Sequence, residues 1–203
     1  MIYHKDKKQI FIIYHNMEKI FLEYAEKLLN NTLLCVKDNK YRICEIEMYH
    51  HGKDHLDEYT HKDVLQMEFD KFYLHRFRNG TFKSGTYKCM DITYGDVKTK
   101  TYFGILIRSI QNIDTNEFFC GPCISVNELL KLYNCKEFGE FVKNWDINEE
   151  FKLHEAVLPK EDIYVGPRVG LGDKYPEFKL KNYRYAILIK NIKKQKIFEK
   201  LKI

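Results

Sequence analysis

Arg42-Ile-Cys-Glu-Ile-Glu-Met-Tyr-His-His-Gly-Lys-Asp-His-Leu-Asp-Glu-Tyr-Thr-His61 is the stretch from which the rest of the chain can be read. Ile43, Glu45, Glu47 and Tyr49 alternate with Cys44, Ile46 and Met48. Period-two alternation predicts a strand with both carboxylates on one face. A surface strand carries acids for solubility alone, so the pattern is not yet a site. The strand runs into a polar loop rich in histidine and aspartate, ending at Thr60-His61. Loops at strand ends are where a rigid scaffold presents chemistry. A carboxylate beside an aromatic ring and a histidine is a set that can hold and activate a water molecule.

Upstream, Thr32 to Val36 reads as a strand, joined to the central one through Asp38-Asn39-Lys40. Before it, Met17 to Asn30 reads as a helix with Ile20, Phe21, Tyr24 and Leu28 on one face, and residues 8–15 as a short strand or helix lead-in. Downstream, residues 63–69 are ambiguous. Strands are expected at Phe72 to Phe77, Tyr87 to Thr93, Tyr102 to Ile110 and Tyr183 to Ile189. Short helices are expected at Val126 to Tyr133 and Lys136 to Lys143, while residues 144–165 show no clear period. Lys190 to Ile203 reads as a basic helical tail with Ile192, Ile197 and Leu201 as its apolar points. The fold class is α+β: one domain over 1–203, a curved mixed or antiparallel sheet flanked by helices.

With 203 residues, 44% of them hydrophobic, the chain can bury a sizeable core. Fifteen tyrosines and fourteen phenylalanines serve a core and also suit base stacking. A net charge of +5 permits a nucleic-acid partner without demanding one. There is no run of eighteen apolar residues, so no membrane span is expected. Met1 to Gln9 is polar and unlike a secretory signal. The expectation is a cytoplasmic or nuclear monomer, not secreted, with its six cysteines reduced.

Four collinear segments resemble the alkyladenine (3-methyladenine) DNA glycosylase family. Ala25-Glu-Lys-Leu-Leu to Leu33 resembles its first helix and strand. Glu45-x-Glu47-x-Tyr49 with Asp57 and Thr60-His61 resembles its signature. Gly85-Thr-Tyr-Lys-Cys-Met-Asp-Ile-Thr93 and Gly104-Ile-Leu-Ile-Arg108 resemble the strands under its base pocket. Arg168-Val-Gly-Leu-Gly172 with Tyr183-Arg-Tyr185 resembles its closing loop and strand. Gly121-Pro122 with Leu129 also falls in the family's order.

The resemblance implies a hydrolase for the N-glycosidic bond, acting on double-stranded DNA with a damaged or modified base flipped out of the stack. It implies Glu47 as general base. Arg108 and a carbonyl of the Gly170-Leu171 loop would hold the attacking water. Tyr49, His61, Asp91 and Leu171 would contact the base. A guanidinium beside Glu47 would favour the ionised form that a base requires. No metal or other cofactor is implied. Repair and defence against modified foreign DNA are both compatible settings.

Departures from the family pattern concern the substrate. Thr81 and Ser84 stand where the family has tyrosines, with His75, Phe77 or Phe82 as candidate replacements after a register shift. Gln66-Met-Glu-Phe stands near a stretch that is basic in the family, and Asp91 replaces an asparagine. An ionised aspartate is acceptor-only, so Asp91 would favour a base bearing an exocyclic amine, a substituted cytosine among them. Arg76, Arg78, Lys83 and Lys88, interleaved with aromatics, are the expected DNA contacts.

Two other functions stay open at the level of sequence. Cys120-Gly-Pro-Cys123 is a dithiol motif of thioredoxin-like oxidoreductases, although Ile124-Ser-Val126 is a poor helix opening. The missing tyrosines also leave room for a nucleic-acid-binding module without catalysis. Metal sites through Cys120, Cys123, Cys135 and His154, or through His50, His51 and His55, lack recognisable spacing.

Overall fold

A computed structural model describes residues 7–193 and 198–201, the first ten of them for the backbone alone. The chain runs α1 (Lys7–Asn30), β1 (Thr32–Val36), β2 (Asn39–Gly52) and β3 (His55–Leu56). After a 3-10 turn (Val64–Met67) come β4 (Phe69–Leu74), a second 3-10 turn (Gly85–Tyr87), β5 (Met90–Tyr94), β6 (Tyr102–Asn112) and β7 (Phe118–Cys120). Next are α2 (Pro122–Lys131), α3 (Phe138–Phe141), α4 (Ile147–Glu150), β8 (Phe151–Glu155) and β9 (Tyr164–Gly166). Last are α5 (Pro176–Lys179), β10 (Arg184–Ala186), a 3-10 turn (Ile189–Asn191) and β11 (Glu199–Lys200).

The pairings are antiparallel and make a single sheet, ordered β11-β9-β10-β2-β6-β5-β4 along its main path, with β1 and β8, β3, and β7 attached beside it. The α+β expectation therefore holds, with an antiparallel rather than mixed sheet. Strands β2 and β6 form its long central pair. Ile46 and Met48 of β2, Ile105 and Ile107 of β6, and Ile92 of β5 belong to one buried core cluster. Helix α1 closes over it: Phe21 lies edge-on to Tyr183 at 4.9 Å, and Tyr24 sits 4.5 Å from Tyr94. Burying Phe21, Ala25, Leu28 and Leu29 removes a full apolar stripe from water, worth roughly 1.5–3 kcal/mol for each large side chain.

Simple alternation fails at one place in β2. The β2–β6 register shifts between Ile43 and Ile46. Such an irregularity changes which side chains share a face. Ile43, expected beside the two glutamates, joins the core with Cys44, Ile46 and Met48.

Other boundaries also move. Residues 8–15 are helical and extend α1. Strand β4 stops at Leu74, and the chain turns back through an Arg76–Phe82 bridge around Gly80 at φ 82°. Helix α2 starts at Pro122, four residues early, since proline suits a first helical turn that needs no N–H partner. The C-terminal tail is not the expected helix: a 3-10 turn and the short strand β11 take its place, with Ile192 buried and Leu201 packed on the core. Ile197 lies outside the described residues.

Candidate active site

One row of residues crosses the sheet opposite the core. Arg184 pairs with Glu47, Glu47 with Leu106, Leu106 with Asp91, and Asp91 with Tyr73. Adjacent strands lie about 4.8 Å apart, so Glu47 and Asp91 stand roughly 10 Å from one another. The next row is Tyr49, Gly104, Thr93 and Lys71.

Glu45 and Glu47 are both buried, and their hydrogen bonding separates them. Glu45 Oε1 accepts from Arg108 Nε at 2.9 Å and from Arg184 at 2.6 Å, while Oε2 accepts from Ser109 Oγ. It is a counter-ion clamped between two guanidiniums. Glu47 Oε1 accepts from the Val169 amide at 2.7 Å and lies 3.2 Å from Arg108 Nη1. Among the described residues its Oε2 accepts from the Tyr49 hydroxyl alone, at 2.9 Å. A carboxylate offers about four acceptor positions, so each acid retains one; what sets Glu47 apart is that only one of its donors is a cation. Burial and the Glu47 charge push the Tyr49 phenol well above its ordinary pKa, which keeps it a neutral donor. Burial opposes the Arg108 charge, but Glu47 and Glu45 raise its pKa above the ordinary value. Arg108 thus joins the two acids instead of serving Glu45 alone.

The loop over Glu47 is held by a second ion pair. Arg168 and Asp57 are fully buried against each other, with Arg168 Nη2 3.2 Å from Asp57 Oδ1 and a closer contact through Nη1. Arg168 also donates to the carbonyls of Met48 at 3.0 Å and Phe178 at 3.2 Å, and its guanidinium lies 4.4 Å from the Tyr49 ring centre. Val169 is the next residue, so this anchorage delivers its amide to Glu47. The resemblance implied a carbonyl of the Gly170-Leu171 loop as a holder of the water; the same loop also gives Glu47 the Val169 N–H. Leu171 is half-buried two residues further on.

At the other end of the row, Asp91 is buried, with Oδ1 2.6 Å from His75 Nε2 and Oδ2 3.0 Å from Gln66 Nε2. Both oxygens of Asp91 therefore already have donors, contrary to the expectation that they await an amine. Burial works against both charges, but the attraction between them wins: His75 is pushed up to about 9 and Asp91 is lowered. His61 sits 4.3 Å from the His75 ring. Lys83 Nζ lies 3.1 Å from His61 Nε2. An ammonium only donates, so His61 carries its proton on Nδ1, facing the Tyr73 hydroxyl at 3.4 Å. Desolvation, then the His75 cation, lowers the His61 pKa, an effect that the solvent exposure of the ring weakens.

These shifts set a pH dependence. A histidine raised above 6.5 contributes stability that is complete below pH 6.5 and lost as pH rises through about 9. His50, held neutral by burial with its pKa near 4, acts oppositely, so stability falls as pH drops below 6.5. The Asp91 carboxyl, held below 3.8, adds to the loss at the acid end. The expected melting temperature therefore peaks near pH 6.5, and His75→Gln removes the fall towards pH 9. A wild-type melting temperature that stays flat from pH 6.5 to 9 would count against the charged pair.

The expected DNA contacts are not equivalent. Arg78 is exposed. Arg76 lies over the Phe82 ring at 4.8 Å, and Lys83 leans on His61. Lys88 is a correction: it is buried, its ammonium given to the Lys136 carbonyl and to Glu137 at 3.4 Å, so it cannot reach a phosphate. Of the aromatics offered as replacements, His75 is taken by Asp91, Phe82 packs 6.0 Å from Phe138, and Phe77 is half exposed. Tyr87 is more exposed still, at 71%.

The dithiol is split. Cys120 Sγ donates to the Asn191 carbonyl at 2.8 Å and Cys123 Sγ to the Gly85 carbonyl at 3.2 Å, in different directions from the Gly-Pro turn. Burial, then the Glu45 charge, raises the Cys120 thiol pKa, the reverse of what a redox nucleophile needs. Among the described residues no three His, Cys, Asp or Glu side chains converge as metal ligands, and no helix is long and apolar enough to cross a membrane.

No known family profile matches the chain. Over 196 residues it is 43% identical to uncharacterized protein L759 of Acanthamoeba polyphaga mimivirus, an alignment covering 88% of this chain and 91% of the relative. The chain belongs to that protein's family. Coverage of this extent takes in strand β2, the Arg108 strand and most of the elements that build the polar face. Arg184, Ser109 and Gln66 are members of that face to which the sequence assigned no role.

Proposed function

We propose that this protein is a DNA glycosylase that extrudes a modified base and hydrolyses its N-glycosidic bond, with Glu47 as general base. The observation that carries the reading is the difference between the two acids. Glu45 is neutralised between two guanidiniums and a hydroxyl, whereas Glu47 faces a single guanidinium and is otherwise oriented by two neutral donors, the Val169 amide and the Tyr49 hydroxyl. In the reaction, water bound to Glu47 attacks the sugar anomeric carbon. The bond to the base nitrogen breaks and its electron pair leaves with the base. Glu47 takes one water proton and passes it to solvent, and solvent supplies one proton to the departing base, giving free base, an abasic sugar and Glu47 again as carboxylate. Arg108 orients Glu47, and the Tyr49 ring offers a stacking surface.

A DNA partner is supported by the +5 net charge and by the segment that carries Arg78, Lys83 and the exposed rings of Phe77 and Tyr87. Basic groups track phosphates and exposed rings stack on bases. The deciding experiment incubates the protein with duplexes containing 3-methyladenine, hypoxanthine, ethenoadenine or substituted cytosines, then applies alkali cleavage at abasic sites. Cleavage at one modified position is expected. Tight binding with no cleavage of any duplex would leave a nucleic-acid-binding module instead.

A further inference from the structure

We propose that Gln66 reads the edge of the extruded base through its Oε1, and that the site thereby selects bases presenting an N–H donor there. This rests on the glycosylase reading and names its substrate class. Gln66 is buried in the 3-10 turn between His61 and β4. Its amide orientation follows from chemistry. Asp91 with a lowered pKa is a carboxylate, and a carboxylate only accepts, so the Gln66 nitrogen must face Asp91 Oδ2. Gln66 Oε1 is then turned away from Asp91, and it is a buried acceptor without a hydrogen-bond partner among the described residues. Buried acceptors are almost always paired, and one left unpaired asks for a donor.

Its position is next to the reacting end of the site. A Cβ on Gly104 would come within 2.6 Å of Gln66 Nε2 and 2.4 Å of Asp91 Oδ2, so the Gln66–Asp91 bridge passes directly over Gly104. Gly104 is the cross-strand partner of Tyr49, whose hydroxyl holds Glu47. The Gln66–Asp91 bridge therefore lies one strand away from the proposed stacking ring. Thr60 Oγ1, in the segment leading to His61, is a second buried polar atom without a partner. His75 locks Asp91, Asp91 locks the Gln66 amide, and the amide presents one acceptor. An exocyclic amine on adenine or cytosine derivatives satisfies it; the carbonyl of hypoxanthine does not.

The test uses two duplexes that differ at one nucleotide, adenine-type with its exocyclic amine or hypoxanthine with a carbonyl there, scored for both affinity and base release. The wild type should favour the amine-bearing duplex by about tenfold, the worth of one hydrogen bond. In Gln66→Met the ratio should fall to near one. Asp91→Asn keeps the Gln66 side chain but frees its amide to rotate, so the preference should fall and hypoxanthine should gain. This variant also serves if Gln66→Met does not fold. A wild type without amine preference, or an Asp91→Asn protein that keeps it, overturns the inference. Base release without amine preference sinks the Gln66 role and leaves the glycosylase reading intact. Amine-selective binding without release from any duplex does the reverse.

Discussion

Glu47→Gln should lower base release by about 10²- to 10⁴-fold, the range expected when a general base is removed. DNA affinity should change little, because the lost step is proton transfer. The substitution is mild structurally. A glutamine oxygen can still accept from Val169, and Arg108 keeps its contact with Glu45. Glu45→Gln should behave differently: Arg108 and Arg184 then share one neutral amide where they shared a carboxylate, so its main effect is a lower melting temperature. Measuring single-turnover release and thermal midpoint on both variants separates the roles. Equal losses of release in two equally stable variants would refute the assignment of Glu47 as the base.

Asp57→Ala should cost about 3–5 kcal/mol of stability, since it strands the fully buried Arg168 charge. For a chain of this size that corresponds to a drop in melting temperature of roughly 10 °C. Replacing both partners, Asp57→Leu with Arg168→Met, should recover much of the loss, because a buried pair exchanged for hydrocarbon is often neutral. The double variant should stay impaired in base release, for its 168–172 loop is no longer tied to the Met48 carbonyl and the Val169 amide is no longer aimed at Glu47. A single substitution costing under about 1 kcal/mol, well below the buried-pair range, would show that the pair does not anchor the loop.

The sequence made the centre of this site readable and left its supports hidden. Alternation in β2 put Glu45, Glu47 and Tyr49 on one face, and the structure keeps them near Arg108. Alternation speaks only of neighbours along one strand. Arg184 reaches Glu45 from 139 residues away, and Arg168 reaches Asp57 from 111. Their strand and loop were visible, but nothing local told which side chains would meet. The register shift near Ile43 was equally silent, since it depends on the partner strand. Strands β7 and β9, three residues each, are too short to show a period. Gln66 was visible only as a residue in an ambiguous stretch, because its meaning comes from Asp91 across the sheet. Asp91 itself was misread for the same reason: a lone acid on a strand says nothing of the histidine and amide that occupy it.

The polar face sets four acidic side chains, Glu45, Glu47, Asp57 and Asp91, against four basic ones, Arg108, Arg168, Arg184 and His75. A fold selected for robustness alone would have little use for them, since packed hydrocarbon of the same volume serves as well or better. Drift towards Leu, Met and Ile should therefore be easy in any descendant released from the need for chemistry, and such a protein would outlast its parent on heating. Under the proposed function, these eight groups are where the molecule gives up endurance for work.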